Sequence, residues 1–280
     1  MSSSVKIPTI LLGSDTNDPF PCIEHIIELF SNKNIKTIFA SIGTSKSCIA
    51  DLEISENLSC PIYIAPVAGY KKWKGVETLI KEKASNPDAA LDINDPFFTG
   101  LEDKWVLPRN IRIQETIPWW TTGSININTA QYQTIAFNEW VTSICSTANI
   151  NEVRLDIIKV DLPNELERGV ILSMLDAGFR PALVLINWSH SPDIDVATTL
   201  SAGHLQNCGY TLLRIDGTKC LYYYSDQDLY MMNSWENTTV PNPMVAEIFK
   251  TFKNSQKEAE GGNASKPLPS DRKTITSTLT

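Results

Sequence analysis

No apolar run in this 280-residue sequence approaches the length needed to span a bilayer, so no transmembrane helix is expected. The start, Met1-Ser-Ser-Ser-Val-Lys-Ile-Pro, has no apolar core followed by a small-residue cleavage site. No secretory signal is read there, a cytoplasmic location is expected, and the sequons at Asn57, Asn187, Asn237 and Asn263 are incidental. The six cysteines (22, 48, 60, 145, 208 and 220) include no Cys-x-x-Cys pair and no Cys/His metal spacing. That pattern points to reduced thiols and no metal site. A basic excess is also missing. The net charge of −8 argues against nonspecific nucleic-acid binding, which needs a basic footprint. The one basic cluster, Lys71-Lys72-Trp73-Lys74, reads as solvated surface.

What is present suits one large α/β domain over residues 1–253, because 42% apolar content is enough to fill a single core. Beyond about Asn254 the composition turns to Gln, Lys, Glu, Gly, Ser and Thr. That segment, 254–280, has too little apolar surface to offset ordering entropy and is expected to be a flexible tail.

The stretch Arg154 to Tyr224 is the most informative. Leu155, Ile157, Ile158 and Val160 form an apolar run that stops at Asp161. A helical segment follows, in which Asn164 and Glu167 have capping-box spacing and Leu166, Val170, Ile171, Met174 and Leu175 form one stripe. Ala182 to Trp188 is apolar on both parities, as in a central strand covered on both faces. Residues 196–208 predict another helix, then Tyr210 to Ile215, an Asp216-Gly217-Thr218-Lys219 turn and Cys220 to Tyr224. Strand-helix-strand-helix-strand implies parallel pairing, and the short Asp-Gly turn makes the last two strands antiparallel.

Earlier in the chain, residues 22–32 and 75–84 predict helices, and residues 130–148 predict a long amphipathic one. Lys36 to Ile42, Pro61 to Ala65 and Ile111 to Thr116 are strand candidates, and Ser85 to Arg109 reads as an irregular excursion. The fold expected is therefore a mostly parallel, twisted sheet of about seven strands, the last antiparallel.

Ligands bind such a sheet beyond the carboxyl ends of its strands, where strand order reverses. That rule selects the loop Gly43-Thr44-Ser45-Lys46-Ser47, the pair Ala65-Pro66, the segment Thr116 to Trp120, and Asp161. Gly43 would let a backbone come close to a ligand or simply end a strand, and the surrounding hydroxyls suit a phosphate as well as a carboxylate. Lys159 could pair with Asp161 or a neighbouring acid. Trp119 and Trp120 could stack on an adenine or a sugar, or pack beneath a loop. His190, just past the central strand, is a candidate general base. His204 reads as core or boundary, and His25 as surface or packing.

Over roughly residues 36 to 225 these features resemble the FkbM-type family of S-adenosylmethionine-dependent methyltransferases. Ile157-Ile-Lys-Val-Asp161 looks like the family's Leu-Lys-Ile-Asp strand, and Phe39-Ala-Ser-Ile-Gly43 falls where the family has Phe-Asp-Ile-Gly. Ile62-Tyr-Ile-Ala-Pro66 falls where a strand ends in Phe-Glu-Pro, and Gly209-Tyr210 with Tyr222-Tyr223 matches the closing hairpin. The resemblance implies a Rossmann-like class I fold, S-adenosylmethionine as cofactor, and a glycan or small polar hydroxyl as methyl acceptor. It implies cofactor contacts at Gly43, Thr44, Ser45, Ala65, Pro66 and Trp119, with Asp161 and His190 as catalytic candidates.

The departures matter equally. Ser41 replaces the family's first acid, Ser45 its asparagine, Ser47 its second loop glycine, and Ala65 the acid that takes the ribose hydroxyls. Pro163 and Asn164 stand where an acid and a glycine are usual, and Asn187 where an acid is common. Losing a bidentate ribose contact removes about 1.5–3 kcal/mol, roughly ten- to a hundredfold in affinity. The alternative expectation is a catalytically inactive methyltransferase-fold scaffold or assembly component, working with a protein partner or as a homo-oligomer.

Overall fold

The computed structural model describes residues 9–14, 18–24, 30, 36–43, 47–66, 70–86, 97, 111–127, 130–163, 165–192 and 194–224. The predicted tail, His25, Thr44, Ser45, Asn164 and most of the 85–109 excursion lie outside them.

The main sheet contains β3 (Phe39–Gly43), β4 (Ile62–Ala65), β5 (Ile111–Ile113), β9 (Ile157–Asp161), β10 (Leu183–Asn187), β11 (Tyr210–Asp216) and β12 (Lys219–Tyr224). Their spatial order is β11-β12-β10-β9-β3-β4-β5. Neighbours from β10 to β5 run parallel, while β12 is antiparallel to both β10 and β11. Gly217, at φ +62, makes the tight turn that forces this reversal. Chain order runs outward from β3 through β4 to β5 and from β9 to β10, after which β11 takes the edge and β12 inserts between it and β10, so the reversal point lies between β3 and β9. Both strands are buried along their whole length, as expected for strands covered on two faces.

The crossovers are α1 (Ile49–Leu58), α2 (Tyr70–Ser85), α3 (Phe137–Thr147), α4 (Leu166–Asp176) and α5 (Val196–Asn207). Asp195 caps α5 by accepting from Thr198 N at 2.7 Å. Among the described residues no helix is long and apolar enough to cross a membrane.

Two small sheets were not foreseen. β1 (Thr9–Leu12) and β2 (Phe20–Ile23) form an antiparallel pair, so Cys22 and Ile23 belong to a strand and not to the predicted 22–32 helix. β6 (Ile117–Trp119), β7 (Gly123–Ile127) and β8 (Ala130–Ala136) form the other, in the order β6-β8-β7. The predicted 130–148 helix is thus a strand followed by a helix. Residues 130–133 alternate between half-buried and exposed and Thr134 is buried, and pairing with β7 enforces that period of two.

Smaller differences follow the same logic. The third strand stops at Ile113 instead of Thr116. Glu165, in the left-handed region at φ 62, precedes α4 without a side-chain cap, because Glu167 is turned towards Ser189. His204 is exposed, not a core residue.

Candidate functional site at the carboxyl ends of the central strands

Register places Gly43 directly opposite Asp161 and Ile42 opposite Ala65. Three of the places chosen from sequence therefore share one rim. Gly43 has φ +104, and a Cβ there would lie 2.0 Å from the main-chain oxygen of Asp161. Glycine is thus required by the neighbouring strand whatever ligand the loop meets. Ala65 is 1% exposed, and Pro66 beside it is buried and carries no N–H. Neither supplies a carboxylate for ribose hydroxyls, so the described residues do not fit the cofactor at that contact.

Beside this pair lies a charged cluster. Lys159 and Asp161 are two residues apart on one strand and so project to the same face. The Nζ of Lys159 lies 3.0 Å from Oδ2 of Asp51 in α1, with the two side chains 1% and 0% exposed. Burial pulls the Lys159 ammonium downward, but the charges of Asp51 and Asp161 outweigh it and leave its pKa raised. The carboxyl of Asp161 is pushed up by burial, against the opposing pull of Lys159 and a hydrogen bond from Asn187. That bond, Asn187 Nδ2 to Asp161 Oδ1, measures 2.9 Å, and Asn187 Oδ1 in turn accepts from Thr218 Oγ1 at 2.6 Å. Asn187 therefore joins the ends of β9, β10 and the last hairpin.

The amino-terminal hairpin closes over this cluster. The Phe20 ring, wholly buried, has Lys159 Nζ 4.6 Å and Lys219 Nζ 4.8 Å from its centroid. Both are cation–π contacts. Lys219 also pairs with Asp18 and donates to the Pro19 carbonyl at 2.8 Å. Sequence reasoning missed Asp18, Phe20, Asp51 and Lys219. A lysine inside the apolar Ile-Ile-Lys-Val-Asp strand was the available signal, because a buried ammonium needs an acid.

His190 sits farther along the rim. Its Nε2 is 3.3 Å from Glu165 Oε1, with both side chains more than half exposed. Glu165 also pairs with Arg168, which reaches Asp195 Oδ2 at 3.4 Å. Glu167 is buried and accepts from Ser189 N at 2.9 Å and Ser189 Oγ at 3.0 Å, and burial pushes its carboxyl up. The loop after β10 is thereby fastened to the start of α4. Trp119 packs edge-on against Trp120, with centroids 4.9 Å apart, and its six-membered ring rests against Gly169 of α4. Trp120 donates to Asp176 Oδ2 at 2.7 Å.

Strand order, the reversal at β3 and β9, and the antiparallel β12 define the class: a Rossmann-like methyltransferase fold. No family model matches the sequence, and no curated protein matches it. Among solved structures, Streptococcus pneumoniae Sp1610, a candidate tRNA (m1A22) methyltransferase, is similar with 10% identity and a TM-score of 0.30. That match covers 88% of this chain and 90% of the other. At such values the class rests on the strand order of this chain alone.

Proposed function

We propose that this protein is a methyltransferase-fold scaffold or assembly component that has lost methyl transfer. The observation that carries this reading is Phe20, seated between Lys159 and Lys219 over the strand that ends at Asp161. The chain's own hairpin occupies the side of the rim where an acceptor would meet Asp161. Asp161 itself is buried and engaged by Asn187. Ala65 adds to this, since among the described residues no carboxylate stands at that strand end to hold a ribose. A scaffold also needs a surface, and Ile194, Val196 and Leu200, within seven residues of one another at the start of α5, stand 85%, 74% and 69% exposed.

Calorimetry with S-adenosylmethionine and S-adenosylhomocysteine tests the reading directly. No binding heat at millimolar ligand is the expected result, and micromolar binding of either compound overturns it.

A second reading is favoured by the juxtaposition of Gly43 and Asp161 at the reversal point, where a bound cofactor would place its methyl group. Here the protein is an S-adenosylmethionine-dependent O-methyltransferase acting on a glycan or other small polar hydroxyl. Gly43, Thr44, Ser45 and Trp119 would serve the cofactor, Ala65 and Pro66 would only line its ribose end without a carboxylate to hold it, and Asp161 with His190 would serve the acceptor. Methyl transfer depends mainly on positioning, with modest help from a base. The hairpin bearing Phe20 would have to lift for the acceptor to reach Asp161, so in this reading Phe20→Ala raises turnover.

A further inference from the structure

We propose that β7 is the edge along which two copies of this chain pair. Among the described residues β7 has a single strand neighbour, β8, and ends its sheet. Its outer row of N–H and C=O groups is satisfied by water or by another strand. Edge strands are ordinarily guarded by lysine, proline, a bulge or a covering element. β7, Gly-Ser-Ile-Asn-Ile, has neither residue, and its register with β8 runs without a bulge from Gly123↔Thr134 to Ile127↔Ala130. Among the described residues no element covers the strand. Gly123, Ser124 and Asn126 are exposed, and a Cβ at Gly123 would have nothing within 4 Å.

The occupant is a second copy because the edge is complementary to itself. An antiparallel pairing about a two-fold axis at Ile125 sets Ile125 against its own copy, Ser124 against Asn126 and Gly123 against Ile127. No charges oppose one another in that register. The stretch of sequence without charge is wider than the strand: no Asp, Glu, Lys, Arg or His occurs from Ile117 through Asn138, and the carboxylates that reach it, Glu139 at Thr122 and Asp176 at Trp120, bond residues before the strand. For a chain of net charge −8, self-approach is least costly along such a stretch. Pairing would join two three-stranded sheets into one of six strands.

This gives the scaffold reading its partner and rests on that reading only for its purpose. The two fail separately. A monomer leaves cofactor binding untested, and a cofactor-binding dimer leaves the edge pairing intact.

Sedimentation equilibrium on the full chain and two variants tests the pairing, with thermal melting to confirm that each variant folds. The wild type is expected to dimerise. S124K/N126K sets lysine opposite lysine at both symmetric positions and should raise the dissociation constant roughly tenfold. S124K/N126E sets lysine opposite glutamate in the same register and should restore the dimer. A monomeric wild type overturns the proposal. So does a folded S124K/N126K variant that associates as tightly as wild type, or an S124K/N126E variant no tighter than S124K/N126K.

Discussion

Gly43 and Asp161 face each other at the ends of adjacent parallel strands, closely enough that a single methyl group on Gly43 would meet the Asp161 carbonyl oxygen. Gly43→Ala must both strain a positive φ and push β9 away. Expected destabilisation is about 3 kcal/mol or more, by urea unfolding. A variant within about 0.5 kcal/mol of wild type would show that the strand ends are not so tightly joined.

The Lys159–Asp51 pair is buried on both sides, so removing either partner strands a charge. Asp51→Ala or Lys159→Met alone should cost about 3–5 kcal/mol. The double variant K159M/D51L should lose far less than the sum, because neither charge of the pair remains to be desolvated. Additive losses in a double-mutant cycle would rule out direct coupling.

Asp161 makes folding pH-dependent. Its folded pKa lies above the ordinary 3.8, chiefly through burial, with Lys159, Asp18 and Lys219 as the charged neighbours. A carboxyl raised in this way favours the protonated folded state. Its contribution is full below the unfolded pKa and is lost as pH climbs through the folded one. Asp161→Asn keeps the acceptor for Asn187 but does not titrate. The stability of wild type relative to this variant should therefore fall as pH rises from just below 3.8 towards neutrality. A difference that stays flat across that window would exclude the linkage.

Gly169 lies within α4, where alanine would ordinarily stabilise a helix by about 1 kcal/mol. Here a Cβ would come 1.8 Å from the Trp119 ring. Gly169→Ala should instead cost about 1–3 kcal/mol and red-shift tryptophan fluorescence as the ring is displaced. Adding Trp119→Leu should recover stability, and failure to recover would show that the ring is not the obstacle.

Much of this architecture was readable from local pattern. β9 and β10 announce themselves because both faces are covered and both parities are apolar. The last hairpin is legible because Asp216-Gly217 admits few alternatives. The site was only half legible, since Lys159 finds its acid 108 residues away and Lys219 finds Asp18 at a separation of 201. No local pattern encodes such pairings. Residues 130–136 were misread because Ala, Tyr, Ile and Ala also satisfy a helical period, and only the pairing with β7 decides between the two. Glu167 has the spacing of a capping residue, yet Ser189, 22 residues on, claims both its oxygens.

The amino-terminal hairpin has a consequence for how the chain is made. Its contacts are with the far end of the sheet: Arg214 donates to the Thr9 carbonyl and Lys219 to that of Pro19, at separations of 205 and 200 residues. The central strand likewise waits on a partner 118 residues downstream, seen in the bond from Ile38 N to Asp156. During synthesis this hairpin emerges about 200 residues before the partners it docks on, and so docks late. Until Lys219 has left the ribosome, Phe20 has only one of its two ammonium partners. Nascent chains arrested before that point present the hairpin's apolar face to chaperones.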